Sequence, residues 1–158
     1  MVERVCPEQC TLVPDAPGVL TSDQGWDTIK HQDFLKDTVA RLHEKNIRVS
    51  LFLDPEPKYI EALKETGAER LEFYTGDYAK HYHEDKHKAV APFAQAAKEA
   101  NRLNVGINAG HDLNLDNLQF FKNSIPDLLE VSIGHALISD ALYFGLYSTI
   151  QLYLKELS

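Results

Sequence analysis

Residues 48–54 read RVSLFLD, a short and almost continuously apolar run between Arg48 and Asp54. Such a run predicts a strand that is buried on both faces of a sheet. Residues 55–66 follow with apolar side chains at helical spacing, and a second short apolar run occupies residues 70–75. A strand, a helix and another strand in this order indicate a βαβ unit with parallel strands. This stretch therefore predicts an α/β fold.

The same alternation extends along the whole chain. Short apolar runs predict five strands, at residues 9–14, 48–54, 70–75, 105–110 and 130–135. Helical spacing is found at residues 28–45, 55–66, 86–102, 114–123 and 139–157. Asp54 followed by Pro55 predicts the start of a helix, and Gly67 predicts its end. The length of 158 residues predicts one domain.

Two arrangements of such a sheet remain open, a doubly wound open sheet and part of a (β/α)8 barrel. No GxGxxG or GxxxxGK[ST] motif follows any predicted strand, which counts against the nucleotide-binding members of the open-sheet class. A barrel needs eight strands and has typically about 250 residues. If the chain has a barrel fold, its five units therefore predict a piece of that barrel.

Composition excludes several classes of function. No apolar run approaches the roughly 18 residues of a membrane span, and the first residues do not form a secretory signal, so we expect a cytoplasmic protein without a membrane partner. The net charge is -8 and the 16 Lys and Arg residues are scattered, which argues against binding of nucleic acid. Cys6 and Cys10 are the only cysteines and are expected to be reduced thiols.

Two predicted strands end in Gly-His turns, where α/β folds gather their functional residues. The sequence is NAGHD at residues 108–112 and SIGHA at residues 132–136. Glycine lets the backbone approach a ligand, and an imidazole can move protons near neutral pH. The last loops of a barrel also often bind phosphate. We therefore predict roles for His111, Gly134 and His135, the alternative being histidines that only bond loop carbonyls.

Glu72 lies in the third predicted strand, where alternation places it on one face with Arg70 and Tyr74. In a barrel this face points inward, where a carboxylate is unfavourable unless it is paired or used. A catalytic or electrostatic role for Glu72 and a buried ion pair with Arg70 both remain open.

Two polar segments have less specific patterns. Residues 81–87 read HYHEDKH, and their spacing favours a solvated loop leading into a helix over a metal site. Residues 21–26 form a polar loop after the first strand, where binding residues are common, although turn formation and capping explain most of them equally well.

Five motifs in this order resemble the pyridoxine 5'-phosphate synthase family. They are TLVPD at 11–15, TSDQGWD at 21–27, Glu72 with YTG at 74–76, NAGH at 108–111 and IGHA at 133–136. The resemblance covers the chain from about Val5 to its C-terminus. It implies a partial TIM barrel whose five βα units correspond to strands 4–8. Residues 1–158 would then be a single C-terminal portion that lacks the first three units.

The resemblance implies an enzyme, a transferase that joins 3-amino-2-oxopropyl phosphate to 1-deoxy-D-xylulose 5-phosphate and releases pyridoxine 5'-phosphate, phosphate and water. It implies no metal or organic cofactor and a homo-oligomer. Because other catalytic residues of the family lie on its first three strands, we expect this chain alone to have little activity. One alternative is a non-catalytic phosphate-binding half-barrel module. A different phosphate-handling barrel enzyme is another, but no strand holds a Schiff-base lysine.

Site roles also follow from the resemblance. His111 matches the family's proton donor, Glu72 the carboxylate that stabilises the transition state, and Thr21 a contact to the deoxyxylulose phosphate. Gly134 and His135 match the phosphate site of the amino ketone. Asp112 stands where the family often has a glycine that contacts phosphate. A backbone N–H contact can survive this change, whereas a carboxylate repels phosphate.

Overall fold

Five strands form a single parallel sheet in the computed structural model, which describes residues 1–15 and 18–158. The strand order is β1-β2-β3-β4-β5, and every neighbouring pair is parallel. The strands are β1 Gln9–Leu12, β2 Arg48–Leu53, β3 Arg70–Tyr74, β4 Gly106–Gly110 and β5 Leu128–Ser132. A doubly wound sheet reverses its order at a switch point, and this sheet has no reversal. The α/β prediction is confirmed, and the winding is compatible with part of a barrel.

Helices connect the strands as the spacing predicts. They are α1 Val2–Val5, α2 Gln32–His43, α3 Pro57–Thr66, α4 Gly76–Arg102, α5 Leu118–Ser124, α6 His135–Phe144 and α7 Leu146–Glu156. Gly67 has a φ of 86° and ends α3 as predicted. None of the helices within the described ranges is long and apolar enough to cross a membrane.

Some predicted boundaries are wrong. The helix α3 begins at Pro57 and not at Pro55, because the Asp54 carboxylate accepts a hydrogen bond from the Gly25 N–H and Glu56 becomes the N-cap. The strand β5 ends at Ser132 and not at residue 135, since α6 begins at His135 with Gly134 in the N-cap position. Gly145, with a φ of 78°, divides the last predicted helix into α6 and α7.

The loop predicted at residues 81–87 is wrong for residues 81–84, which are helical, whereas α4 breaks at Asp85 and a helical segment follows from residue 86 as predicted. Tyr82 packs against Tyr78 one turn earlier, with ring centroids 5.5 Å apart, which stabilises the helix. Only Asp85 leaves the helical conformation, and its carboxylate accepts hydrogen bonds from the backbone N–H groups of His87 and Lys88. The described residues contain no group of three or more His, Cys, Asp or Glu side chains placed to hold a metal ion.

The hydrophobic core lies between the outer face of the sheet and the helices. Leu71 and Phe73 of the central strand are fully buried there, and Phe73 contacts Phe93 of α4 edge to face. The opposite, concave face carries polar side chains from all five strands. On this face the Glu130 carboxylate of β5 accepts hydrogen bonds from one side chain of each other strand, namely Gln9, Arg48, Arg70 and Asn108.

Side chains of the first and last strands therefore meet across the concave face. Gln9 Nε2 lies 3.0 Å from Glu130 Oε2, although β1 and β5 are at opposite edges of the sheet. Burial by itself raises the pKa of Glu130, but the hydrogen bonds from Arg70 and Gln9 and the charges of Arg70 and Arg48 lower it. The sheet is strongly curved, and the ionised Glu130 links its strands.

We expect Leu71→Ala to lower the free energy of unfolding by about 2–5 kcal/mol, because it leaves a cavity in the central strand. Leu20→Ala is the matched control, since Leu20 is fully exposed in the loop between β1 and α2. We expect the control to change the unfolding free energy by less than about 0.5 kcal/mol. Urea unfolding followed by circular dichroism measures both changes. Equal effects of the two substitutions would contradict this description of the core.

Candidate active site

A cavity of about 690 Å³ lies at the C-terminal ends of the strands and brings together five of the six predicted site residues. These are Thr21, His111, Asp112, Gly134 and His135. The volume is in the range of small-molecule sites. Parallel strands end at one edge of their sheet, so residues far apart in sequence meet there.

A larger cavity of about 850 Å³ lies between α3 and α4. Its lining includes Asp54, Asp77 and Lys88 but none of the predicted site residues. We assign the chemistry to the smaller cavity, because the two Gly-His turns meet there.

The His111 side chain is held between two other elements. Its Nε2 lies 2.8 Å from Thr21 Oγ1, within hydrogen-bonding distance, and its ring packs edge to face against Tyr74 with centroids 5.0 Å apart. The loop that carries Thr21 is anchored by the Trp26 indole N–H, which donates to the Leu12 carbonyl at 2.9 Å. The structure thus joins two predicted residues that are 90 positions apart.

The turn at His111 and Asp112 has an unusual backbone. Their φ angles are 80° and 55°, in the left-handed region that is unfavourable by about 1–2 kcal/mol for a residue with a side chain. Glycine has no such cost, which explains why it suits position 112, and aspartate tolerates this region better than most residues. The Asp112 backbone therefore adopts a conformation that a glycine would also adopt.

The Asp112 carboxylate lies beside the histidine. Its Oδ2 is 3.1 Å from His111 Nδ1, but these atoms are not in hydrogen-bonding geometry, and Nδ1 is buried with no hydrogen-bond partner among the described residues. The contact is therefore close but is not a hydrogen bond. It places a negative charge at the edge of the cavity.

Glu72 lies beneath the cavity on the concave face, and only 7% of it is exposed. Its Oε2 accepts hydrogen bonds from Thr11 Oγ1 at 2.9 Å and Ser132 Oγ at 3.4 Å. Burial raises the pKa of Glu72, the two hydroxyl groups lower it, and the charge of Glu130 raises it, with a net increase. Burial is therefore the dominant effect on this carboxyl group.

The alternative ion pair between Glu72 and Arg70 is wrong. Arg70 Nη1 donates to Asn108 Oδ1 at 3.1 Å and to Glu130, on the same face of the sheet. Glu72 therefore has no cationic partner among the described residues, and two neutral hydroxyl groups satisfy it.

Gly110 connects Glu72 to the histidine turn. A Cβ atom at Gly110 would lie 2.6 Å from Glu72 Oε1 and 3.1 Å from the Ser132 carbonyl oxygen. No side chain fits at this position without displacing the carboxylate. The glycine before His111 therefore gives the Glu72 carboxylate its place next to the turn.

Gly134 and His135 form the N-terminus of α6, and both are exposed. Among the described residues no side chain caps this helix end, so its first N–H groups have no capping partner there. A Cβ atom at Gly134 would meet no atom of the described residues within 4 Å. Packing within the described chain does not explain the glycine at this position.

Sequence reasoning missed several residues of the site. Thr11 and Ser132 bind the Glu72 carboxylate, and Lys80 lines the cavity. Alternation along β1 and β5 could have indicated the first two as inward-facing, but their common partner on β3 depends on the curvature of the sheet. No sequence pattern indicated that Lys80 lines the cavity, because it is one of many charged residues on a helix.

Comparison with known proteins agrees with this geometry. A model of the family described as "Pyridoxal phosphate biosynthesis protein PdxJ" matches residues 1–158. The chain belongs to the PdxJ family. The resemblance to pyridoxine 5'-phosphate synthases that the motifs indicated is confirmed at the level of the family.

Several curated PdxJ relatives named pyridoxine 5'-phosphate synthase are similar to this chain. The protein from Christiangramia forsetii is 54% identical over 157 residues, which are 99% of this chain and 66% of the relative. The Flavobacterium johnsoniae protein is 54% identical over 96% of this chain and 64% of its own length. The Porphyromonas gingivalis protein is 50% identical over 100% of this chain and 66% of its own length. The chain thus spans slightly less than two thirds of these relatives.

We expect Glu72→Gln to raise the free energy of unfolding at pH 7. Folding raises the pKa of Glu72 above its ordinary value of 4.5, so between these two values the folded state binds more protons than the unfolded chain. The free energy of unfolding of the wild type then falls as the pH rises through this window. That of the glutamine variant does not, because glutamine has no proton to lose. The difference should vanish below about pH 4.5, where the carboxyl group is protonated in both states.

Urea unfolding of both proteins between pH 4 and pH 8 measures this difference. Glu65→Gln, which changes an exposed carboxylate on α3, is the matched control and should show no pH-dependent difference. A wild-type protein that gains stability over the variant as the pH rises would contradict the direction given for Glu72.

Proposed function

We propose that this chain carries out part of pyridoxine 5'-phosphate synthesis, the condensation of 3-amino-2-oxopropyl phosphate with 1-deoxy-D-xylulose 5-phosphate. The observation that carries the proposal is the contact of 2.8 Å between His111 Nε2 and Thr21 Oγ1, in a cavity that also contains the Gly134–His135 turn. The names of the PdxJ relatives support it.

In this proposal His111 is the proton donor and Thr21 orients it. Ring closure by condensation requires that hydroxyl groups leave as water, which a positioned acid accelerates. Histidine is the side chain that most often serves as a general acid or base in enzymes. In the same proposal Thr21 also contacts the deoxyxylulose phosphate.

Glu72 stabilises the transition state. Its carboxylate lies under the turn of His111 and has no cationic partner among the described side chains, so a positive charge that develops on the substrate nitrogen is attracted to it. The low exposure of Glu72 strengthens this attraction, because buried charges are weakly screened.

The N-terminus of α6 binds the phosphate of the amino ketone. Uncapped N–H groups and the helix dipole favour an anion, and His135 adds a further donor. The open space around Gly134 leaves room for phosphate oxygens close to the backbone. Asp112 contributes through its backbone N–H, since its carboxylate repels phosphate.

The five strands correspond to strands 4–8 of a TIM barrel, and residues 1–158 form one domain. Homo-oligomer formation is part of the proposal, supported by exposed apolar side chains on α6 and α7 such as Leu142, Tyr143 and Tyr147. Location in the cytoplasm stays a prediction. A phosphate-binding module without catalysis is the second candidate, because relatives of the chain are about half as long again.

The test of the reaction is formation of pyridoxine 5'-phosphate from the two phosphate substrates. The chain is assayed alone and together with the part of the Christiangramia forsetii relative that it does not cover. We expect activity on mixing and a loss of about 100-fold or more in His111→Asn, because the proton donor is removed. The control is His83→Asn, which changes an exposed histidine on α4.

Three outcomes of this assay are informative. Activity on mixing that His111→Asn abolishes and His83→Asn preserves supports the proposal. Equal activity of the two variants would contradict the role of His111. If the folded chain forms no pyridoxine 5'-phosphate either alone or on mixing, and still binds phosphate, the result would favour the module without catalysis.

A separate test addresses the phosphate site. Gly134→Ala should leave the melting temperature unchanged, since the added methyl group meets no described protein atom. We expect it to weaken binding of inorganic phosphate about tenfold, which corresponds to about 1.4 kcal/mol, by occupying space next to the anion. Isothermal titration calorimetry measures the affinity. Unchanged phosphate affinity would remove Gly134 from the site.

A further inference from the structure

Side chains hold three consecutive backbone carbonyl groups around the candidate proton donor. These are the carbonyl groups of Gly110, His111 and Asp112, and the side chains are those of Thr75 and Asn117. The two left-handed residues of the turn, His111 and Asp112, both belong to this segment. Hydrogen bonds thus hold the backbone at the positions where its left-handed conformation is unfavourable.

Thr75 binds the first two of these carbonyl groups. It is fully buried, and its hydroxyl oxygen lies 2.7 Å from the Gly110 carbonyl oxygen and within hydrogen-bonding distance of the His111 carbonyl, so its single hydrogen is shared between the two acceptors. Its backbone N–H also donates to Gly110, at 3.0 Å. Thr75 is the N-cap residue of α4, where a threonine usually accepts a hydrogen bond from the helix, yet its side chain makes no capping bond.

Asn117 binds the third carbonyl group in the same manner. It is 2% exposed, and its Nδ2 donates to the Asp112 carbonyl at 3.2 Å while its Oδ1 accepts from the Asn114 N–H at 2.9 Å. It is the N-cap residue of α5, and its side chain also makes no capping bond. The buried Tyr78 hydroxyl donates to the Asn117 carbonyl at 2.6 Å and holds its backbone in place.

Left-handed residues with side chains persist where the surrounding structure holds them, and they gather at functional sites. Here two N-cap residues from different helices leave their own helix ends uncapped and bind the same turn. We propose that Thr75 and Asn117 are positioning residues that hold His111 in its left-handed conformation and thereby direct its imidazole toward Thr21 and the cavity.

The link from backbone to imidazole is geometric. The left-handed backbone sets the direction in which the His111 side chain leaves the turn, and its ring then reaches both Thr21 Oγ1 and Tyr74. In a right-handed or extended backbone the Cα–Cβ bond would point elsewhere and both contacts would be lost. The consequence for catalysis rests on the proposed function, whereas the orientation of the ring does not.

Nuclear magnetic resonance of the unliganded chain tests the orientation without any assay of activity. The His111 ring signals are assigned by their loss in His111→Asn. We expect nuclear Overhauser effects between the His111 and Tyr74 rings in the wild type, loss of these effects in Thr75→Val, and their recovery in Thr75→Ser, which keeps the hydroxyl group. Persistence of the wild-type effects in Thr75→Val would overturn the proposal.

Thr66→Val is the matched control. Thr66 is also buried, and its hydroxyl group also contacts two backbone groups, the Leu63 carbonyl and the Ala68 N–H, but at the opposite end of the sheet. It should leave the His111 signals unchanged. If Thr66→Val disturbs the His111 ring as much as Thr75→Val does, the effect is general destabilisation and the proposal fails.

Asn117→Asp is the second variant, and it keeps the test decisive if Thr75→Val does not fold. It replaces the N–H donor to Asp112 with a carboxylate oxygen, which repels the Asp112 carbonyl, and keeps the acceptor for Asn114, so we expect displaced His111 signals in a folded protein. Wild-type His111 signals in this variant would overturn the role of Asn117.

Kinetics then relate the orientation to catalysis. Under the conditions in which the wild type is active, Thr75→Val should lower kcat about 10- to 100-fold, as expected for a displaced catalytic group, with KM changed less than about threefold. Thr75→Ser should restore kcat. An equal kcat in Thr75→Val and the wild type would overturn the catalytic consequence. If the wild type has no synthase activity, the proposed function fails, and the resonance data still decide the positioning.

Discussion

The rest of the structure depends on the hydrogen bonds that the Glu130 carboxylate accepts from the other strands. It accepts hydrogen bonds from one side chain on each of the other four strands, so all five strands meet at one charged group. Two of the donors are arginines, which keep Glu130 ionised and make these bonds stronger than neutral ones. A flat sheet could not bring β1 and β5 together in this way. The cluster therefore requires the curvature that also shapes the site above it.

The site is built in layers on this curved face. One step toward the C-terminal ends of the strands, Thr11 of β1 and Ser132 of β5 both bind the carboxylate of Glu72 on β3. Gly110 admits that carboxylate and begins the turn of His111. Each layer is held by contacts between strands that are not neighbours in the sheet. Displacing one strand would therefore disturb the charged cluster and the His111 turn together.

Sequence patterns predicted the parts of the site that lie at strand ends. His111, Gly134 and His135 were identified because a Gly-His turn follows an apolar run, and Glu72 because alternation places it on the inner face. The family motifs added Thr21 and Asp112 and gave Glu72 a role. The patterns failed where local segments compete with distant partners. Residues 81–84 look like part of a loop because they are polar and charged, yet Tyr82 packs on Tyr78 and this segment is helical up to the break at Asp85. The sequence could not decide between a catalytic or electrostatic role for Glu72 and an ion pair with Arg70, because both residues lie on the same face of β3.

The amino-acid sequence by itself determined the α/β class, the order of the strands and helices, and membership of the PdxJ family, because these depend on periodicity and motifs along the chain. Only the tertiary structure decided that Arg70 binds Glu130 and leaves Glu72 to two hydroxyl groups. Only the tertiary structure showed that Thr75 and Asn117 leave their helices uncapped to hold the His111 turn. The physical reason is that a side chain's partner depends on which atoms the curvature and register of the sheet bring within about 3 Å, and spacing along the sequence does not contain that distance.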